Sequence, residues 1–174
     1  MTKKERNKDI LIRRGDIFLS RNPMTLGKII NWFQSIQSVD KSSKYSHAGV
    51  VLNSFGAILE AVWSVKVTNL WDEYGEDCVL IARPINLSDE DINRGINIAR
   101  KNIGKWYPFH RFIMMLIPTL ARRVGGSVGV CSEETVRYLQ AAGMDIDWKG
   151  KTPDNIHDMV KDSREWIIIY EGKI

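Results

Sequence analysis

Cysteine is scarce in this chain of 174 residues: Cys78 and Cys131 are the only two, and histidine occurs three times. Two cysteines make no disulfide framework, and no Cys/His spacing resembles a zinc site, so free thiols are expected, with no metal and no cofactor. Long apolar runs are missing as well. The most apolar later stretch, Phe112 to Pro118, is far shorter than the roughly 20 residues a membrane span requires. The basic start runs through Ile10-Leu11-Ile12 into Arg13-Arg14 without the apolar region or small-residue cleavage site of a signal peptide. The chain reads as soluble, made in the cytoplasm and without a transmembrane segment; reaching a cell wall would take phage lysis or a dedicated secretion system.

A surplus of one charge is also missing from most of the chain. The net charge of +4 is carried by residues 1–14, where Lys3, Lys4, Arg6, Lys8, Arg13 and Arg14 outnumber Glu5 and Asp9. The remaining 19 basic and 19 acidic residues cancel. A high isoelectric point owed to a tail is poor support for a nucleic-acid surface, and no nucleic-acid partner is expected. Residues 1–14 read as a basic, flexible tail and 15–174 as a single domain, since an apolar share of 44% is ample for one core and no linker or repeat divides the rest.

What is there is a mixed pattern of elements. Gly15-Asp16 turns into the apolar strand Ile17-Phe18-Leu19, with Asp16 read as a turn residue. Residues 25–39 place Leu26, Ile29, Ile30, Phe33 and Ile36 on one helical face. Ser46 to Leu52 and Ala57 to Trp63 read as a hairpin turning through Asn53 to Gly56, followed by strands over 65–70 and 78–82, with Cys78 as a small core residue. Ser88 followed by Asp91 is a capping pair for a helix ending near Gly104. A further helix is expected between Phe109 and Arg123, a short one from Thr152-Pro153, and a last strand over 165–171. The order predicts an α+β domain with a small antiparallel sheet packed against helices.

The chemistry concentrates at Gly129-Val130-Cys131-Ser132-Glu133-Glu134. Cys131 and Ser132 can cap a helix that carries Val136, Leu139 and Ala142 on one face before Gly143 closes it. A thiol there sits under unpaired amides and the positive end of the helix dipole, which favours thiolate. Glu133 and Glu134 oppose that effect, so a cationic partner is required. Taken alone such a cysteine is more often a buried structural residue.

His47 supplies the partner. With an even loop from Asn53 to Gly56, opposed positions pair Leu52 with Ala57 and Gly49 with Glu60, so His47 and Glu60 share a face as diagonal neighbours. Gly49, opposite Glu60, leaves room for the contact. An ionised carboxylate fixes the imidazole tautomer and favours its protonated form, and an imidazolium favours a thiolate beside it. Nucleophile, base and orienting carboxylate are then Cys131, His47 and Glu60, with the amide of Cys131 as the first oxyanion donor.

The set Gly15-Asp16-Ile17-Phe18, Ser46-His47-Ala48-Gly49-Val50-Val51, Leu59-Glu60-Ala61, Ile103-Gly104-Lys105-Trp106-Tyr107 and Val130-Cys131-Ser132-Glu133 resembles the circularly permuted NlpC-type papain-like enzymes, the YiiX group in particular. In that group the histidine strand precedes the cysteine helix, and here Cys131 follows His47 by 84 residues. The resemblance spans roughly residues 15 to 140. It implies a permuted papain-like fold, Cys131 as nucleophile, His47 as base, Glu60 as third member, and chemistry on amide or ester bonds. Two departures accompany it: Tyr107 is followed by Pro108-Phe109 rather than a polar stretch, and the export signal of many wall-acting relatives is missing.

Tyr45, Tyr107 and Ser132 are the candidates for substrate binding. His110 and Arg111 read better as the solvated start of a helix. The apolar run from Trp106 to Leu120 is core, lid or acyl groove. The leading function is a thiol peptidase or amidase, peptidoglycan stem peptides first. The alternatives are a fatty-acyl hydrolase or acyltransferase, as in the similar lecithin:retinol acyltransferase group, and a non-catalytic binding module that keeps the fold.

Overall fold

A computed structural model of the chain describes residues 10–21, 44–106 and 130–174. They contain β1 (Ile17–Ser20), β2 (His47–Val51), β3 (Ala57–Ala61), β4 (Val65–Asn69), α1 (Leu70–Tyr74), β5 (Cys78–Pro84), α2 (Asp89–Arg100), α3 (Cys131–Ala141), α4 (Pro153–Asp162) and β6 (Trp166–Lys173). The six strands form one antiparallel sheet in the order β4-β3-β2-β1-β5-β6, which makes the class α+β. The helices expected over 25–39 and 109–123, and Tyr107, His110 and Arg111, lie outside the described residues.

The hairpin takes the register that the parity of its loop demands: Leu52 N donates to Ala57 O at 2.7 Å and Gly49 faces Glu60. Its turn is built by Asn53, whose side-chain oxygen accepts from the amides of Phe55 at 2.9 Å and Ala57 at 3.0 Å. Such an Asx-type turn supplies locally the bonds a tight reversal would otherwise lose. Ser88 and Asp91 close a reciprocal cap on α2, and Thr152 with Asn155 does the same for α4, with Pro153 in its first turn.

Four expectations need correction. Val130, not Cys131 or Ser132, caps α3; its extended backbone offers no side-chain bond, and Glu133 supplies the return by accepting from Val130 N at 3.1 Å. Cys78 is exposed, because it opens β5 opposite Lys173 of the edge strand and burial starts only at Val79. Asp16 is more than a turn residue: fully buried, it accepts from Arg83 Nε at 2.7 Å, Arg83 Nη2 at 2.9 Å and Arg13 N at 2.7 Å, tying β1 to β5 and to the segment before it. Finally, α2 ends at Arg100, where the bonds tighten to three-residue steps, and Gly104 closes the turn after it rather than the helix.

Strand alternation gives the sheet two apolar faces. Ile17, Leu19, Ala48, Val50, Leu59 and Leu80 face the helical side, where Ile96 of α2, Val136 and Leu139 of α3 and Ile156 of α4 cover them. Phe18, Val51, Ile58, Val79 and Ile81 face the other side with Ile12, Leu70 and Tyr74. The helices that carry and back Cys131 lie very close: a Cβ at Gly95 of α2 would stand 2.7 Å from Tyr138 O of α3. Tyr138 in turn donates to Gly15 O at 2.9 Å, so α3 is referenced to the entry of β1.

Gly49 has a tighter reason to be glycine than the space beside Glu60. A Cβ there would run into the Phe18 ring and sit 2.7 Å from Leu59 O, a backbone atom in the middle of β3. Gly49→Ala is therefore expected to lower stability by about 1–3 kcal/mol, the usual range for overpacking a core, read as a shift in the urea unfolding midpoint.

Candidate active site

His47 is the first residue of β2 and Cys131 the first of α3, and they meet at the end of the sheet. His47 shares its sheet face with Phe18 and Tyr74, opposite the face that α3 covers, so contact is made where the helix start reaches over the strand end. All three members of the expected constellation are buried, with exposures of 4% for Cys131, 4% for His47 and 3% for Glu60. His47 Nε2 lies 2.9 Å from Glu60 Oε2, and Cys131 is near enough to add to the basicity of the ring. With Nε2 engaged by the carboxylate, Nδ1 is the nitrogen left for sulfur.

Glu60 is the most heavily engaged side chain of the site. Oε2 accepts from His47 and from the Tyr74 hydroxyl at 2.5 Å, while Oε1 accepts from Thr68 Oγ1 at 2.8 Å and lies 3.6 Å from Lys66 Nζ. Burial works to neutralise the acid, but the bond and charge of His47, then the hydroxyls of Tyr74 and Thr68, outweigh it and hold the carboxyl at about 2. Burial likewise opposes charge on His47, and Cys131 and Glu60 overcome it and raise the imidazole to about 10. For Tyr74 burial and the Glu60 charge act together, so the phenol is raised and stays a donor.

The acidic first turn of α3 does not leave free charge beside the thiol. Glu133 is fully buried and accepts from two backbone amides, Val130 N at 3.1 Å and Gly150 N at 2.8 Å. Glu134 accepts from Asn102 Nδ2 at 2.8 Å and lies 3.4 Å from Arg137. Ser132, a candidate for substrate binding, donates its hydroxyl to Lys151 O at 2.6 Å and joins α3 to the loop before α4. Tyr45, the other described candidate, is buried two residues before His47, its ring 5.4 Å from that of His157 and its hydroxyl donating to Glu171 at 3.2 Å. Lys44 and Lys161 hold the same Glu171, which links the approach to β2 with α4 and β6. Both hydroxyls therefore serve the scaffold that carries His47 and Cys131.

Lys66, Thr68 and Tyr74 were not anticipated. Two of them had a signal: Glu60 pairs with Lys66 and Ile58 with Thr68, so the parity argument used for the first hairpin, extended to β3 and β4, places both on the face of Glu60. Tyr74 depends on α1, which interrupts what reads as a continuous strand-and-loop segment. A separate cleft of about 570 Å³ lies behind α3 between Leu87, Val136, Met144, Ile156 and Met159, and none of the three central residues lines it.

The two shifted groups set a pH window. His47, raised, contributes stability that is full below 6.5 and is lost as pH climbs through about 10. Glu60, lowered, contributes stability present above 4.5 and lost as pH falls toward about 2. The stability difference between wild type and the double variant His47→Asn/Glu60→Gln is expected to be greatest between these limits and to shrink on both sides. Urea unfolding at a series of pH values checks it, and a difference that does not vary with pH would contradict the buried ion pair.

No protein-family model matches the chain, and no curated protein matches it in sequence. Among solved structures, the metalloprotein yiiX of Escherichia coli O157:H7 matches with a TM-score of 0.63 at 19% identity, over 92% of this chain and 98% of that one. Among the described residues here, no three His, Cys, Asp or Glu side chains converge to hold a metal ion, and both oxygens of Glu60 and Nε2 of His47 already have protein partners. With its six-stranded antiparallel sheet and the helices against it, the chain has a YiiX-like fold.

Proposed function

We propose that the protein is a cysteine hydrolase of permuted papain-like type that cleaves an amide bond, with Cys131 as nucleophile, His47 as general base and then acid, and Glu60 as the orienting carboxylate. The observation that carries this reading is the buried contact of His47 Nε2 with Glu60 Oε2 at 2.9 Å, made by a ring whose basicity is also raised by Cys131, the first residue of a helix. A histidine so placed has one nitrogen fixed by a carboxylate and leaves the other for a thiol, the arrangement that activates it.

In the proposed reaction Sγ of Cys131 attacks the carbonyl carbon, and the oxygen takes up the electron pair near the amide of Cys131 at the positive end of α3. The carbon–nitrogen bond breaks as the imidazolium of His47 gives its proton to the departing amine, leaving a thioester. Water then attacks that thioester, His47 takes the water's proton, and the acid leaves with the thiol regenerated. Glu60 stays ionised throughout and holds the ring. The substrate class that this reading favours is a peptide, stem peptides of peptidoglycan first.

Reactivity of the two cysteines tests it. Cys131 is expected to be alkylated by iodoacetamide at pH 6 faster than the exposed Cys78, and His47→Ala to slow Cys131 at least tenfold, in keeping with about 10²–10⁴ for loss of a positioned base. Site-resolved mass spectrometry over time gives both rates. Equal rates for Cys131 in wild type and His47→Ala would end the reading in favour of a non-catalytic module. Cys131→Ala is expected to abolish hydrolysis of a wall-derived peptide while leaving the unfolding midpoint within about 1–2 kcal/mol of wild type, the scale of a small buried side-chain change.

A further inference from the structure

Tyr74 stands outside the proposed triad yet touches two of its members. Its hydroxyl donates to Glu60 Oε2, the oxygen that also meets His47. Its ring runs nearly parallel to the imidazole, with centroids 5.8 Å apart and 18° between planes. Phe18 packs against both rings, 6.0 Å from that of His47 and 5.3 Å from that of Tyr74. The tyrosine comes from α1, a helix of five residues whose buried positions are Leu70 and Tyr74. Four residues apart on one face, they are what the short helix delivers to the sheet.

We infer that Tyr74 is a positioning residue of the proposed hydrolase: by holding Oε2 of Glu60 and stacking on the imidazole, it fixes the direction in which His47 meets Cys131. The inference rests on the reading of Cys131 as nucleophile and His47 as its base. The physical need for it lies in the carboxylate itself. The terminal torsion of a glutamate is broad and roughly two-fold, so a single hydrogen bond leaves the group free to swing. Thr68 holds one oxygen at 2.8 Å and Tyr74 the other at 2.5 Å. With both donors in place the carboxylate plane is set by groups other than the histidine it must orient. Without Tyr74, Oε2 would be held by His47 alone, and orienter and oriented would move together.

A phenol suits the task better than a second cation. It gives Glu60 a strong hydrogen bond without placing positive charge against an imidazolium, and its ring supplies a face for that imidazolium to lie along. By stabilising the ionised carboxylate it also keeps the shared proton on His47, where the leaving amine needs it. Lys66, the lysine beside Glu60, is 3.6 Å away and 42% exposed, too wet to fix an angle.

The test is a double-mutant cycle on wild type, Tyr74→Phe, Glu60→Gln and the double variant, with His47→Ala alongside, read as the alkylation rate of Cys131 across pH. Tyr74→Phe keeps the ring and removes only the hydroxyl. It is expected to slow Cys131 about tenfold, the scale of one lost hydrogen bond to a charged group, and to move the pH profile. On the Glu60→Gln background the same change is expected to add nothing, because Tyr74 acts through Glu60. A tyrosine that merely packs would lower the melting temperature and leave rate and profile unchanged, which overturns the inference. Equal effects of Tyr74→Phe on both backgrounds overturn it too. If His47→Ala slows Cys131 while Tyr74→Phe does not, only the positioning role fails; if His47→Ala has no effect, the hydrolase reading fails and takes this role with it. Should Tyr74→Phe not fold, the wild type carries the test: a slowly exchanging hydroxyl proton of Tyr74 in the proton NMR spectrum, lost in Glu60→Gln, supports the role, and its absence overturns it.

Discussion

A carboxylate taken out of water must be surrounded by donors or it gives up its charge, and Glu60 is where this constraint shapes the molecule. Its side chain is 1% exposed, and its partners come from β2, β4 and α1. The strand pairing places Gly49 opposite it and Lys66 on its other flank. Removing any one donor would leave a buried anion partly unmatched, so the elements that supply them are fixed relative to one another by a single group. The raised basicity of His47 follows first from Cys131 and then from this carboxylate, which together outweigh its burial.

The helix that begins at Cys131 meets a second version of the same constraint. Four acidic or hydroxyl side chains crowd its first turns, Ser132, Glu133, Glu134 and Thr135, all buried. Each has a partner that is structural: Lys151 O, the amides of Val130 and Gly150, Asn102, and Cys131 O. Buried acids near a thiol would raise the cost of a thiolate if their charge were uncompensated. Here two backbone amides donate to Glu133, and Asn102 donates to Glu134, which also lies 3.4 Å from Arg137.

Much of this was legible before any coordinates because it depends on parity and caps. A two-residue strand period and an even loop force Gly49 opposite Glu60, and with it His47 onto the same face, whatever the rest of the chain does. Ser88 with Asp91 and Thr152 with Asn155 act within a single turn and are equally local. The misreadings share a different character. Asp16 looked like a turn residue because its partner Arg83 is 67 residues away. Cys78 looked internal because alternation does not tell the end of a strand from its middle. The cap of α3 fell to Val130 because a glutamate three residues on could return the bond, which makes a polar cap unnecessary. Tyr74 was out of reach, since its place depends on a helix of one turn between two strands and on where that turn points.

Glu171 carries a consequence for when the site can exist. It receives Tyr45 from 126 residues earlier in the chain, and with Lys44 and Lys161 it pins the approach to the histidine strand. Ribosomes add roughly 5–20 residues per second, so the latch on that strand closes about 6–25 s after Tyr45 is made. Throughout that interval the start of β2 is held by the pairing of Ser46 and His47 with Ser20 and lacks only its tie to α4 and β6. The tie to Glu171 thus forms only once β6 has been made, and it is added to a strand start that β1 already holds.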